Sequence, residues 1–195
     1  MKQLISAKAF ILLCTLLSFG AVPYAQNATS SYFEGSTLAK IIEHRECAGV
    51  RFYNVIEPTT GKSSTMAIGV RVDESEIFNF SNRYYVFKKS IEGGIEYSKL
   101  SQRKAALACE KVKANGEAVF SASFSKEDIE SMLSTAPLGG VIVQQKKTES
   151  LTIFEAQSGS VMGGSFVPSA NSRAMVSGEP CPTFCGNSLN YVHMQ

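Results

Sequence analysis

The sequence has no tryptophan and only two histidines, His44 and His193. Without Trp, stacking on a sugar ring lacks its strongest partner. With two histidines, a site built on several imidazoles has little to draw on. Proline is sparse, at six residues, and no long run of one charge occurs. With 44% hydrophobic residues and 15 Gly, collagen and low-complexity disorder are excluded. The formal charge is only +2. Lys2 and Lys8 fall in a segment laid out as a removable leader, and without them acidic and basic groups balance at 17 each. A neutral chain with no basic run is poorly suited to nucleic acid or to an anionic membrane surface. Gly-x-Ser-x-Gly, His-Glu-x-x-His, a phosphate loop and a dinucleotide glycine pattern are all missing. No cofactor is expected.

What is present begins with the leader. Met1–Lys8 is short and basic, Ala9–Gly20 is an apolar run, and Pro23-Tyr24-Ala25-Gln26 offers a small residue before a cut. This is the three-part layout of a secretory signal peptide, and the run is shorter than the roughly 20 residues that span a bilayer. The expectation is a signal peptide over 1–25, export to the periplasm, cell surface or medium, and no transmembrane segment in the mature chain. Cys14 leaves with the leader. Cys47, Cys109, Cys181 and Cys185 then remain, and outside the cytoplasm the default use of such cysteines is disulfides, with three complete pairings open.

Two segments match at a constant offset of 91 residues. Phe33–Val50 and Phe124–Val141 place Leu38, Ile41 and Ile42 on Ile129, Met132 and Leu133, the inward stripe of a short amphipathic helix. Ser36 and Ser125 are candidate N-caps, and Gly49 and Gly140 stand where each helix gives way to a strand. A hairpin pattern follows each: Val50–Ile56 with Thr65–Val72, and Val141–Val143 with Leu151–Phe154. Met66, Ile68, Val70 and Val72 alternate, which predicts a half-buried strand. The unit is helix, strand, strand, occurring twice, at about 33–72 and 124–156.

Between the copies, Tyr84–Phe87 predicts a strand before a loop at Gly93-Gly94. Ser101–Ala114 predicts a helix with Ala105, Ala108, Cys109 and Val112 on one face and Asn115-Gly116 as its stop. Glu117–Phe124 alternates as a further strand. From Gln157 to Gln195 the chain is rich in Gly, Ser, Pro and Asn and predicts an irregular tail. The expected architecture is therefore α+β: an antiparallel sheet with two or three short helices, spanning 26–156, around a duplicated helix–hairpin unit.

The chemistry-bearing residues are few. His44, Cys47, Cys181 and Cys185 form a four-ligand set for a metal, His44 and Cys47 being three apart on the expected helix. Two disulfides, or one with two buried thiols, is the preferred use of the same cysteines. Ser101-x-x-Lys104 and Ser123-x-x-Lys126 match Ser-x-x-Lys without its companion motifs, and read as helix caps with solvated lysines. Asp73-Glu74 and Glu127-Asp128 are adjacent carboxylates that point to different sides, as solvated or capping charges do. Tyr53, Tyr84 and Tyr85, with Phe87 and Tyr97, are candidates for an aromatic ligand platform, against the plainer reading that they pack between sheet and helices.

Three stretches carry a resemblance: Cys47-Ala-Gly-Val-Arg-Phe-Tyr53, Met66-Ala-Ile-Gly-Val70 and Cys181-Pro-Thr-Phe-Cys-Gly186. Together they resemble an uncharacterised family of small Bacteroidetes proteins with a Gly-Ile/Val-Arg-x-Tyr strand and a C-terminal Cys-Pro-x-x-Cys. The second copy departs from the pattern, since Val141-Ile142-Val143 lacks the Arg and Tyr. The resemblance implies an origin and a shape but no reaction. The functional expectation is an exported, non-catalytic binding or structural module with an envelope or extracellular partner. The alternatives are an extracytoplasmic hydrolase or a Cys/His metal-binding protein.

Overall fold

The computed structural model describes residues 29–79, 83–91, 94–135, 139–147 and 152–176. The leader, Cys14, Cys181, Cys185 and His193 lie outside the described residues. Those described form an α+β protein with two antiparallel sheets and three helices. The strands are β1 (Thr29–Glu34), β2 (Gly49–Ile56), β3 (Ser63–Val70), β4 (Tyr84–Ile91), β5 (Gly94–Leu100), β6 (Ser121–Ser125), β7 (Gly140–Lys147), β8 (Thr152–Met162), β9 (Ser165–Pro168) and β10 (Met175–Val176). The helices are α1 (Gly35–Ile42), α2 (Gln102–Ala114) and α3 (Lys126–Thr135).

The central sheet has the order β5-β4-β3-β2-β6, and the outer sheet the order β1-β7-β8-β10 with β9 also on β8. Helix α2 covers one face of the central sheet, where Ala105, Ala108, Cys109 and Val112 pack on Tyr53, Val55, Met66 and Ile68. The outer sheet with α1 and α3 covers the other face, in a cluster that joins Phe52, Phe124, Phe33, Val141 and Phe154 to Leu38 and Ile129. Because both faces are covered, β2 is buried along its whole length and β3 along all but its first residue. The alternation over Thr65–Val72 therefore does not mark a half-buried strand: Thr65 and Ala67 on the second face are buried too. Val72 is 89% exposed, because β3 ends at Val70 and the chain turns away.

Helix α1 forms where Leu38, Ile41 and Ile42 share a face, and all three are buried. Ser36 is not its cap. Glu34 takes that position with no side-chain hydrogen bond, and the amide of Gly35 donates instead to the Gly139 carbonyl at 3.0 Å. The amide of Lys126, which opens α3, donates to the Ala48 carbonyl at 2.8 Å. There Ser125 does act as a cap, its Oγ accepting from the Asp128 amide at 3.1 Å. Ser101 caps α2 by accepting from the Lys104 amide.

The sheets exchange strands between the two ends of the chain. β1 pairs with β7, with Phe33 opposite Val141 and Glu34 opposite Gly140. β6 pairs with β2, with Phe124 opposite Val50 and Ser125 opposite Gly49. Gln145 ties the two sheets across the core, its Nε2 donating to the Ser64 carbonyl at 2.8 Å and to Thr65 Oγ1 at 2.7 Å.

Residues 157–176 are not an irregular tail. β8 runs on through Met162, and β9 and β10 lie against it. Backbone pairing carries this stretch together with Val161, Phe166 and Met175, which pack against the core, and the buried Ser158 donates to the Met132 carbonyl at 2.6 Å.

Candidate functional site

A cleft of about 630 Å³ opens between α2, the end of β5 and the turn after β2. Its size is that of pockets that hold small ligands. Leu100 and Ala108 form an apolar floor, with Pro58 and Thr59 as one wall and Leu107 and Ala114 on the other. The helix period puts Lys104, Leu107 and Lys111 in one row facing the cleft. Leu107 is 47% exposed, an apolar side chain left uncovered on a helix whose opposite face is buried. Lys104 and Lys111 make no ion pair with a described residue and border the apolar floor, whose lining also includes Lys99 and one carboxylate, Glu110.

The wall is pinned from below. Glu57 is fully buried, and its Oε2 accepts from the amides of Thr59 at 2.8 Å and Thr60 at 2.6 Å. Its Oε1 accepts from Ser98 Oγ of β5 at 2.5 Å. Burial pushes this carboxyl up, but the hydrogen bonds from Ser98, Thr60 and Thr59 outweigh it and hold the group below the usual carboxylate range. An ionised Glu57 thus fixes the turn that carries Pro58 and Thr59 to β5 at the edge of the cleft.

A second cluster lies on the same face of the central sheet, under the loop 71–79. Arg51 and Tyr53 of β2, Ser123 of β6 and Tyr84 of β4 meet Glu74 and Glu76 of that loop. Arg51 Nη2 donates to Glu74 Oε2 at 2.5 Å and Arg51 Nε to Ser123 Oγ at 3.1 Å, while Ser123 Oγ donates to the same Glu74 oxygen at 2.7 Å. Tyr84 donates to Glu76 Oε2 at 2.6 Å, and Tyr53 donates to Glu76 Oε1. Arg51 Nη1 is buried with no acceptor in good geometry, although the Tyr53 hydroxyl lies close by. Glu74 is the one non-glycine residue with positive φ among those described, at +64°. That conformation costs about 1–2 kcal/mol for a residue with a Cβ. Arg71 anchors the loop from outside, with Nε on Glu46 at 2.8 Å and Nη1 on the Glu76 carbonyl at 3.1 Å.

Burial raises the Glu76 carboxyl, and its bonds to Tyr53 and Tyr84 and the nearby Arg51 only partly offset this. The folded protein therefore holds the Glu76 proton more tightly than the unfolded chain does. Its contribution to stability is present below the unfolded carboxylate value and is lost as pH rises from there through the folded value. We expect Glu76→Gln to abolish that part of the decline. Urea midpoints measured between pH 4 and pH 8 for both proteins check this. A parallel decline in the two removes Glu76 as its source.

Sequence expectations meet these sites unevenly. Tyr53, Tyr84 and Tyr85 are all buried, so they do not make an exposed platform. Two of them serve Glu76, and Tyr85 packs in the core on the opposite face with Lys99 Nζ 5.7 Å from its ring. Among the described residues Cys47 and Cys109 are free thiols, in different clusters on opposite faces of the central sheet, and no disulfide joins them. Burial raises both, Cys109 to about 12, so neither is a thiolate at neutral pH. His44 and Cys47 do not share a helix: α1 ends at Ile42, and both sit in the turn beyond it. There His44 Nδ1 accepts from the Glu46 amide at 3.3 Å, and the Cys47 thiol faces the Gly49 carbonyl at 3.1 Å. Among the described residues no group of three or more His, Cys, Asp or Glu could hold a metal, and Cys181 and Cys185 lie outside them. Ser123 is engaged with Arg51 and Glu74, and Ser101 caps a helix. Of the adjacent carboxylates, Asp73 accepts from Ser75 while Glu74 turns to Arg51. No helix among the described residues is long and apolar enough to cross a membrane.

Sequence reasoning missed both the cleft and the Arg51 cluster. Leu107 on an otherwise polar helix face, and Arg51 within an apolar strand, are the signals that point to them. Comparison with protein-family models, with curated proteins and with solved structures finds no match for this chain. The class that fold and site define is a two-sheet α+β protein with a lysine-bordered apolar cleft.

Proposed function

We propose that this chain is an exported, non-catalytic binding module, built on a duplicated helix–hairpin unit, that takes a small amphipathic anion in the cleft beside α2. The carrying observation is the pair Lys104 and Lys111 flanking the exposed Leu107 above an apolar floor. An acyl chain in that cleft covers Leu100, Leu107 and Ala108, and its anionic head meets both ammonium groups. The non-catalytic reading is supported by the protonated, buried state of Cys47 and Cys109 and by the structural use of Ser101 and His44.

Duplication is supported by reciprocal pairing at the offset of 91. Phe33 faces Val141 as Phe124 faces Val50, and Gly35 bonds Gly139 as Lys126 bonds Ala48. Leu38 and Ile129, matched at the same offset in the sequence, lie in one cluster. Export is supported by the leader layout of 1–25, and kinship with the small Bacteroidetes proteins by Cys47–Tyr53 and Met66–Val70.

Calorimetric titration with dodecanoate tests the site. Saturable binding at about micromolar Kd is expected for the native chain. The Lys104→Ala/Lys111→Ala variant is expected to weaken it about tenfold, equivalent to about 1.4 kcal/mol, and Leu107→Asp to abolish it. Equal binding by all three proteins, or none by the native one, removes the cleft as the ligand site.

A further inference from the structure

We propose that Arg51 and Ser123 form a ready-made carboxylate site, occupied at rest by the chain's own Glu74, and that an external carboxylate binds there by displacing it. The site is separate from the cleft and does not depend on it. β2 holds Arg51 at 1% exposure, too deep for a solvated surface charge. A guanidinium buried this far requires an anion, and it matches a carboxylate best through two parallel N–H bonds. Glu74 supplies less than that. Its Oε2 alone accepts from both Arg51 Nη2 and Ser123 Oγ, and Nη1, buried beside the Tyr53 hydroxyl, has no acceptor in good geometry and none from a carboxylate. The donor set has capacity that the resident carboxylate does not use.

The resident is also poorly suited to its place. Glu74 reaches the guanidinium only from a left-handed backbone, at φ +64°. Its side chain is 42% exposed while that of Arg51 is 2% exposed, so the carboxylate sits at the mouth of the site and the cation at its floor. What keeps it there is tethering: a group on a short loop stays at high effective concentration however imperfect its fit. A carboxylate entering in the plane of the guanidinium takes Nη1 and Nη2 together, and Ser123 Oγ keeps its bond from Nε while donating to the newcomer. Glu74 then turns to water, where its charge is hydrated, and the loop relaxes. The chemistry recognised is a carboxylate, from a small organic acid or from an acidic side chain of a protein.

The test is rescue by added carboxylate. Glu74→Gly removes the resident group and suits the positive φ, and Glu74→Asn does the same with a residue that tolerates this backbone but is too short to reach Arg51. Sodium acetate at about 100 mM is expected to raise Tm of each variant by about 3 °C or more over equal sodium chloride, and to move the native chain by less than about 1 °C. Adding Arg51→Met to either variant is expected to erase the acetate response. No acetate-specific rise in both variants, or a rise that survives Arg51→Met, overturns the proposal. A short peptide with a central Glu, compared with its Gln counterpart, separates the sources. Rescue far below the acetate concentration assigns a protein partner, and rescue at equal concentration assigns a small acid.

Discussion

Leu38→Ala and Ile129→Ala each lower the unfolding free energy by about 2–5 kcal/mol, and urea denaturation followed by circular dichroism is the measurement. Both side chains are fully buried, one on α1 and one on α3, in the cluster that joins the two sheets. Removing three carbons from either leaves a hole lined by parts of both sheets, and close-packed surroundings relax into it only partly. Because one apolar layer is affected in each case, a single cooperative transition is expected in both variants. Two separate transitions in either would show that the sheets unfold independently.

A loss of at least about 3 kcal/mol is expected for Gly140→Val and for Gly49→Val, from backbone contact in place of a cavity. A Cβ at Gly140 would press into the Phe33 carbonyl oxygen, and one at Gly49 into that of Phe124. Both carbonyls belong to strands already paired at that point, so neither can turn away. Gly94→Ala is the control: a Cβ there meets nothing within 4 Å, and a change within about 0.5 kcal/mol is expected. If Gly140→Val matches that control, the close approach of β1 to β7 is not maintained in solution.

These glycines show how far sequence patterns reach. Leu38, Ile41 and Ile42 announce α1 because a helix that buries one side must repeat its apolar residues every three or four positions. Gly49 and Gly140 are visible as breaks after each helix, but what makes them glycine is a neighbouring strand that no local pattern names. β5 was not visible for a related reason. Ile95 and Tyr97 face the main core while Leu100 faces α2, so both faces are partly apolar and the alternation blurs. The run after Ala156 misled because Gln157, Ser158, Gly159 and Ser160 form a strand through backbone pairing with β7 and β9. The cleft draws on residues near 58, 100 and 107, and the carboxylate site on residues near 51, 74 and 123, so each exists only once the sheet has formed. The tyrosines misled through their chemistry: a residue suited to a binding surface also serves to satisfy a buried carboxylate.

The pairing of β1 with β7 also sets an order of events during synthesis. Among the described residues β1 has β7 as its only partner, and Glu34 meets Gly140, so about 106 residues must follow before the contact can close. At about 5–20 residues per second the ribosome takes roughly 5–20 s to supply them. Throughout that interval Tyr32 and Phe33 have no strand to join. The first strand consequently stays unclaimed until most of the polypeptide has emerged, and any holding factor that greets it has seconds in which to act.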